Sequence, residues 1–225
     1  MISIETYIMD TEIISDERLY HRLLTNMPAY RQEKIRSYIF EKDRLLSFGA
    51  GALLAYSLGS RGISEHRDIQ LGDNGKPYLS SRLHYNISHS GSKIVCSFSE
   101  QEVGVDLEQI LPVDDSLIRQ VCVASEQAHL LQLEPEAQGR EFFVLWTAKE
   151  SYMKLRGTGL ALPPKQLELI FGDPLRIRDA GTSSNVQFRR YPLENYCLTV
   201  CSEHADFADS LISIDNPDEL KAIFS

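Results

Sequence analysis

Two acidic side chains, Asp106 and Glu108, stand two positions apart in the segment GVDLE at 104–108. On a strand, side chains at positions i and i+2 point to the same side, so both carboxylates would reach one spot. A hard divalent cation suits such a pair, and magnesium is usually held by few carboxylates together with water and substrate phosphate. An isolated Asp-x-Glu also occurs on ordinary solvent-facing strands. The pattern therefore predicts a metal site only if other residues support it.

A second cluster lies in WTAKESYMK at 146–154. In a helix, residues four apart share a face, which brings Trp146, Glu150 and Lys154 together and turns Lys149 toward another side. Glu150 would then supply a third carboxylate, and the lysines could contact phosphate oxygens. The simpler alternative is a surface Glu–Lys pair that contributes about 0.2–0.5 kcal/mol, with the tryptophan in the core.

The polar segment NISHSG at 86–91 supplies candidate phosphate ligands, because the side chains of Ser88 and His89 can both donate hydrogen bonds. An ordinary β-turn is the alternative. A nucleophilic serine is disfavoured, since the GxSxG elbow is absent. No glycine-rich phosphate loop is present either, so a nucleotide would have to be bound by side chains. Three cations precede this segment and could serve, although each alone is typical of a solvated surface: Arg31, Lys34 and Lys76.

The elements that must position these residues follow from periodicity and from capping and turn residues. In the first half we expect an opening strand over 2–9, a helix capped by Ser15 and reaching about Leu24, a helical region from Pro28 to Gly59, a turn at 73–77, and strands over 84–87 and 94–98. After these we expect a strand over 103–107, helices between 114 and 156 with a break at Glu134-Pro135, strands over 186–191 and 196–201, and a helix from Pro217. The order strand, helices, strands occurs twice. This predicts an α+β fold with two α/β halves, residues 1–103 and 104–225, the second of which carries the acidic residues.

Composition narrows the class of protein. The 225 residues include 43% hydrophobic and 24% charged side chains, as in an ordinary globular protein. A net charge of -9 argues against binding to nucleic acid or to an anionic membrane surface. The first ten residues, MISIETYIMD, lack the pattern of a signal peptide, and no apolar stretch approaches the length of a membrane span. The four cysteines form no CxxC pair, which predicts reduced thiols and a cytoplasmic protein.

Taken together, GKP at 75–77, NISHSG at 86–91, GVDLE at 104–108, WTAKESYMK at 146–154 and the following GTGL at 157–160 resemble the surfactin-synthetase-type 4′-phosphopantetheinyl transferases in order and spacing. The likeness extends more faintly to PAYRQEK and EKDRLLSFG near the N-terminus. It implies the 4′-phosphopantetheinyl transferase fold, a pseudo-dimer of two similar α/β subdomains with coenzyme A between them. The chain would act as a monomer.

The resemblance also implies roles for individual residues. It makes Asp106, Glu108 and Glu150 the ligands of Mg²⁺, and places Lys149 and Lys154 at the pyrophosphate. The 3′-phosphate of coenzyme A would be bound by Lys76, Ser88 and His89, with Arg31, Lys34 and Ser47 nearby. Arg31 stands where the family more often has lysine. Residues 111–123 would form the variable segment that contacts the carrier protein.

The implied reaction moves the 4′-phosphopantetheine group from coenzyme A to a serine of an apo acyl or peptidyl carrier protein and releases 3′,5′-ADP. Glu150 is the candidate general base, with Asp106 and Lys154 as further catalytic residues, although a metal ligand is a poor base unless one oxygen stays free. A Mg²⁺-dependent phosphodiesterase or pyrophosphatase acting on a nucleotide cofactor is the alternative, and a carrier or cofactor binder without turnover is a second. In the carrier-facing segment, Leu117, Ile118 and Val121 could either contact the carrier or form a buried helix face.

Overall fold

The computed structural model describes residues 3–63, 70–71, 77–79 and 83–223 and shows a mixture of helices and mainly antiparallel sheets. The helices are α1 (Glu17–Asn26), α2 (Ala29–Ser37), α3 (Glu41–Gly59), α4 (Asp115–Val121), α5 (Ala124–Leu130), α6 (Pro135–Arg156) and α7 (Pro217–Ile223). The strands are β1 (Glu5–Asp10), β2 (Gln70–Leu71), β3 (Pro77–Tyr78), β4 (His84–Ser90), β5 (Lys93–Ser99), β6 (Gly104–Gln109), β7 (Leu167–Ile170), β8 (Arg176–Asp179), β9 (Thr182–Ser183), β10 (Gln187–Leu193), β11 (Tyr196–Ser202) and β12 (Ile212–Ile214). Single 3₁₀ turns lie at Thr11–Ile14, Gly159–Ala161 and Pro164–Gln166.

The first half is built on a four-stranded sheet in the order β12-β1-β5-β4. Strand β5 pairs antiparallel with both β1 and β4, and α3 packs on one face of the sheet. Helix and sheet approach closely at Gly49, where a Cβ atom would overlap the side chain of Ile94. This helix carries small residues on its packed face, so its backbone lies near the strands and its N-terminal part is fixed relative to β4.

The second half repeats this plan with a three-stranded sheet, β10-β11-β6, and the long helix α6 packed against it. Gly104 at the start of β6 is the contact point, because a Cβ atom there would overlap the backbone carbonyl oxygen of Ser151 and crowd Leu155. The glycine of GVDLE therefore lets α6 lie directly on β6. This contact sets the distance between the acidic residues of the strand and those of the helix.

The two sheets meet along β4 and β6. Short polar side chains at alternating positions of β4 cross this seam: Asn86 Oδ1 accepts a hydrogen bond from the backbone N–H of Val105 (3.0 Å), and Ser90 Oγ accepts one from that of Gln109 (3.1 Å). Apolar residues of β1, β5, β6, β10 and β11 form a cluster between the sheets. The halves are thus joined both by polar contacts and by a common core.

Most of the predicted elements are present, with shifted ends. The N-cap of α1 is Asp16 and not Ser15, since the Asp16 carboxylate accepts from the N–H of Leu19 at 2.7 Å. The helical region from Pro28 divides into α2 and α3. Pro135 is the first residue of α6, as the break at Glu134-Pro135 predicts. Strands β7, β8, β9 and β12 were not predicted, because they are two to four residues long. The predicted turn at 73–77 lies outside the described residues, except Pro77.

The C-terminal segment corrects the predicted division at residues 103 and 104. Strand β12 runs parallel to β1, with Tyr7 opposite Ile212, and α7 packs against α3. Ile214 and Leu220 belong to the apolar core of the first half. Strand β12 therefore completes the N-terminal sheet and α7 packs beside it, so a single boundary in the sequence does not separate the two halves. In the part of the chain that is described, no helix is both long and apolar enough to span a membrane.

Candidate active site

A cavity of about 410 Å³ opens between the two halves, at the seam where β4 meets β6. The N-terminal half contributes side chains from α2 and its C-cap, the middle of α3 and β4, and the C-terminal half contributes side chains from β6 and α6. The lining residues are Arg31, Lys34, Tyr38, Ser47, Ala50, Ile87, Ser88, His89, Asp106, Glu108, Trp146, Glu150 and Lys154. Nine of the eleven predicted site residues thus lie in one cavity.

The carboxylates of Asp106, Glu108 and Glu150 form the acidic wall of this cavity. Asp106 is buried, and its Oδ1 accepts hydrogen bonds from Lys154 Nζ (2.6 Å) and Ser88 Oγ (2.9 Å). Asp106 Oδ2 is also buried, yet no donor among the described residues contacts it. A buried carboxylate oxygen without a partner is costly in free energy unless a ligand satisfies it. This atom marks a position where a cation would be bound favourably.

The negative charge of Asp106 acts on the other two carboxylates, Glu108 and Glu150. Burial and then the charge of Asp106 raise the pKa of Glu150 to about 7. The same two causes, in the same order, raise the pKa of Glu108, while hydrogen bonds from Ser90 and Trp146 act against the rise. On this side of the cavity, the three acids face a single lysine among the described residues, Lys154, so the carboxylates repel each other. A divalent cation would remove that repulsion.

The cations of the N-terminal half form the basic wall. The Arg31 guanidinium donates from Nη2 to the carbonyl oxygen of Ser47 at 2.7 Å, and Gly51 leaves room for it, since a Cβ there would lie 3.1 Å from Arg31 Nε. Lys34 is one turn further along α2 and exposed. His89 reaches solvent, and desolvation by the cavity wall followed by the Lys154 ammonium lowers its pKa. These three side chains can bind phosphate oxygens.

Ser88 lies between the two walls. Its hydroxyl hydrogen is donated to Asp106, and its oxygen accepts from Lys154 (2.9 Å). The predicted contact of Ser88 with a 3′-phosphate would therefore compete with the bond that holds Asp106. Lys154 in turn pairs with Asp106 on the neighbouring strand rather than with Glu150 on its own helix. The simple surface pair considered for Glu150 and Lys154 is not formed.

Lys149 does not lie in the cavity, which corrects its predicted position at the pyrophosphate. It is fully buried, and its Nζ donates to Glu126 Oε2 (2.7 Å) and to the backbone carbonyls of Val121 and Pro164 (both 3.1 Å). The reason is the phase of α6. Each residue advances about 100° around a helix, so Lys149 faces away from Glu150, whereas Lys154 is displaced from it by only about 40°.

Sequence reasoning missed Tyr38 at the end of α2 and Ser90 at the end of β4. Ser90 Oγ donates to Glu108 Oε2 at 2.8 Å. The signal for Ser90 was present, because Asn86, Ser88 and Ser90 alternate with apolar or larger residues and so share one face of a strand. Lys76 lies outside the described residues. Among those described, no group of three or more His, Cys, Asp or Glu side chains has the geometry of a preformed metal site.

The carrier-facing segment is partly core. Ile118 and Val121 are buried on the inner face of α4, whereas Leu117 is 38% exposed and Leu111, between β6 and α4, is 54% exposed. The buried-face alternative therefore holds for two of the three residues named from the sequence. Arg119 pairs loosely with Asp115 at the surface (3.7 Å).

The cavity thus combines an acidic wall suited to a cation with a basic wall suited to phosphate, which is the arrangement of a phosphoryl-transfer enzyme. Residues 102–201 match the family model of the 4′-phosphopantetheinyl transferase superfamily. A 4′-phosphopantetheinyl transferase of Bacillus subtilis is 30% identical over 207 residues, covering 84% of this chain and 88% of that protein. The transferase Sfp of B. subtilis strain 168 is 27% identical over 214 residues, with 92% and 94% coverage. The transferase gsp of Aneurinibacillus migulanus is 31% identical over 150 residues, with 66% and 63% coverage.

The chain belongs to the 4′-phosphopantetheinyl transferase superfamily. The resemblance drawn from the motifs is confirmed, as are the α+β fold and the class of enzyme.

Proposed function

We propose that this enzyme transfers the 4′-phosphopantetheine group of coenzyme A to a serine hydroxyl of an apo carrier protein, releasing 3′,5′-ADP. One observation supports this most strongly. Three carboxylates, Lys154 and the cations of the opposite wall line a single cavity between the two halves. Coenzyme A carries a diphosphate and a 3′-phosphate. The diphosphate would bind the acidic wall through a cation, and the 3′-phosphate would bind the basic wall directly.

Magnesium is the proposed cofactor, and Asp106, Glu108 and Glu150 are its proposed ligands. Asp106 Oδ2, which no donor in the described part of the chain contacts, and the raised pKa of Glu150 both support a cation at this position. The ion would neutralise charge on the diphosphate and make the phosphorus more electrophilic. Ser90 and Trp146 hold Glu108, and Ser88 and Lys154 hold Asp106, so two of the three proposed ligands are fixed by neighbouring side chains.

The chain's own groups have separate roles in the transfer. The serine oxygen of the carrier forms a bond to the phosphorus on the pantetheine side, and the bond from that phosphorus to the bridging oxygen of the diphosphate breaks. The electron pair leaves with 3′,5′-ADP. Glu150 accepts the serine proton, directly or through one water, on the carboxylate oxygen that would not hold the ion. The Lys154 ammonium stabilises the negative charge that develops as the bond breaks.

The basic wall anchors the nucleotide end. Arg31 is pre-oriented by its bond to the Ser47 carbonyl, and Lys34 and His89 approach from α2 and β4. These contacts remain the same before and during the reaction, so they would govern affinity for coenzyme A more than the rate of transfer. We propose that Lys76, which precedes β4 in the sequence, also binds the nucleotide end of coenzyme A.

We propose that the enzyme acts as a monomer in the cytoplasm. The four cysteines form no disulfide and are buried, as expected of reduced core thiols. The net charge of -9 supports a protein partner over nucleic acid or an anionic membrane.

The test is incubation of the enzyme with coenzyme A, Mg²⁺ and a panel of apo acyl and peptidyl carrier proteins, followed by intact-protein mass measurement. A carrier serine that gains phosphopantetheine supports the proposal. Release of phosphopantetheine without carrier modification would support the phosphodiesterase alternative, which the family comparisons do not favour. Asp106→Ala and Glu150→Ala should each lower the rate at least a hundredfold, while Glu136→Ala, an exposed residue of the same helix, should not. Near-normal transfer by Asp106→Ala or Glu150→Ala would show that the acidic wall is not the reaction centre.

A further inference from the structure

Two adjacent apolar side chains, Ile39 and Phe40, are the most exposed large hydrophobic residues in the described part of the chain, at 84% and 69%. They connect α2 to α3. Phe40 occupies the N-cap position of α3, and no side-chain hydrogen bond caps the helix there. Ser, Thr, Asp or Asn would cap the helix better, and each would expose a polar side chain to water in place of an apolar one. Folding alone therefore does not explain why two large apolar residues stand at this position.

Ile39 and Phe40 directly follow a residue of the active-site cavity. Tyr38, the preceding residue, lines the cavity itself. Since consecutive Cα atoms are about 3.8 Å apart, Ile39 and Phe40 lie within roughly 8 Å of the Tyr38 backbone. On the other half of the protein, the exposed Leu111 follows the cavity-lining Glu108 by three residues. Exposed apolar residues thus stand near the cavity on both halves.

The charge around the pair differs from that of the whole chain. Residues 29–44 contain five cationic and three acidic side chains, in a protein of net charge -9. The cations that flank the pair, Arg36, Lys42 and Arg44, are exposed. Glu41 and Asp43 lie among these cations, and residues 29–44 keep a net charge of +2. An apolar pair in such a segment matches a partner that presents an apolar patch within an acidic surface.

We propose that Ile39 and Phe40 form a docking surface for the apo carrier protein, which they contact beside its modified serine. This inference rests on the proposed function, because the carrier is the macromolecular substrate whose serine must enter the cavity. A protein that delivers a side chain into the cavity must cover the rim around its mouth. Ile39 and Phe40 then supply apolar contact from the N-terminal half, and Arg36, Lys42 and Arg44 would pair with acidic groups of the carrier.

The decisive variant is Ile39→Ser/Phe40→Ser. Serine is a favourable N-cap residue, so the variant is expected to fold at least as well as the wild type. The carrier used is the apo protein that the wild-type enzyme modifies fastest. We expect the KM for this carrier to rise about tenfold, the loss typical of removing one central apolar contact. The dissociation constant of coenzyme A, measured by calorimetry, and kcat at saturating carrier should stay within about twofold, since neither group touches the reacting atoms.

Leu131→Ser is the matched control. Leu131 is 64% exposed and lies at the end of α5, away from the residues that line the cavity, so its replacement should leave the carrier KM unchanged. A second variant, Arg36→Glu/Lys42→Glu, tests the charge. At low salt, the carrier KM of this variant should be higher than that of the wild type. The KM of the variant should also depend less on salt than the wild-type KM does.

The proposal is overturned if Ile39→Ser/Phe40→Ser keeps the wild-type carrier KM, or if Leu131→Ser changes it equally. Sedimentation of the wild type and of Ile39→Ser/Phe40→Ser tests whether the surface binds a second copy of the chain instead of the carrier. Loss of a wild-type dimer in the variant, with carrier KM unchanged, would show that the surface binds a second copy of the chain. If the wild type modifies no carrier at all, the proposed function fails and the docking surface with it. Transfer by the wild type with variants unaffected refutes the docking surface alone.

Discussion

Replacement of Glu150 by glutamine should stabilise the cation-free protein at alkaline pH. Burial and the neighbouring Asp106 carboxylate raise the pKa of Glu150 from 4.5 to about 7. The folded protein therefore binds this proton more tightly than the unfolded chain does. The resulting stabilisation is complete below pH 4.5 and is lost as the pH rises through about 7. Glutamine cannot ionise, so the variant avoids the loss.

The size of the effect follows from the displacement of the pKa. A change from 4.5 to about 7 corresponds to about 3 kcal/mol in the free energy of unfolding once the carboxylate is ionised in both states. Part of this loss has already occurred at pH 5, and the side chain retains some contact with solvent. We therefore expect the stability of Glu150→Gln relative to the wild type to rise by about 2 kcal/mol between pH 5 and pH 8.

The assay is urea unfolding at pH 5 and pH 8 in the presence of a chelator, with the wild type, Glu150→Gln and the control Glu136→Gln. Addition of Mg²⁺ at pH 8 should then stabilise the wild type more than Glu150→Gln, because the ion binds the folded state through this carboxylate. A stability difference between Glu150→Gln and the wild type that is the same at both pH values would refute the proposed coupling of the three carboxylates.

Three further variants test how the site is built. Gly104→Ala should lower the free energy of unfolding by about 1–3 kcal/mol and reduce the transfer rate, because the added methyl group pushes α6 away from β6 at Ser151; urea unfolding and transfer assays that match the wild type would contradict this. Lys149→Met should lower the free energy of unfolding by about 3–5 kcal/mol, since it leaves the Glu126 carboxylate buried without its partner. Calorimetry should find the coenzyme A affinity of the folded Lys149→Met protein unchanged, and a weaker affinity would place Lys149 at the ligand after all. Lys154→Met should lower kcat about a hundredfold or more with little change in coenzyme A affinity, and an effect on affinity alone would assign Lys154 to substrate binding.

Much of the acidic wall could be predicted from the sequence because it depends on local periodicity. Asp106 and Glu108 share a side of β6 since a strand repeats every two residues, and Glu150 and Lys154 share a face of α6 since a helix repeats every 3.6. These relations hold wherever the elements are placed. Periodicity does not predict which partner each charged group contacts. Lys154 forms its ion pair with Asp106 on β6 and not with Glu150 on its own helix.

Other features required contacts between residues distant in the chain. The sequence indicated that Lys149 and Lys154 could both contact phosphate. Only the packing of α5 against α6 shows that the Lys149 ammonium forms a buried ion pair with Glu126. The same is true of β12, three residues long, which joins the N-terminal sheet by parallel pairing with β1.

The sequence by itself determined the family, the alternation of elements and the identity of the acidic residues, because each is encoded within segments of about ten residues. The tertiary structure decided which half supplies each wall, which lysine enters the cavity, and that Ile39 and Phe40 remain exposed beside it. Burial and electrostatic coupling depend on every chain segment that surrounds a side chain. Those surroundings are assembled only when β4 meets β6 and α6 lies on Gly104.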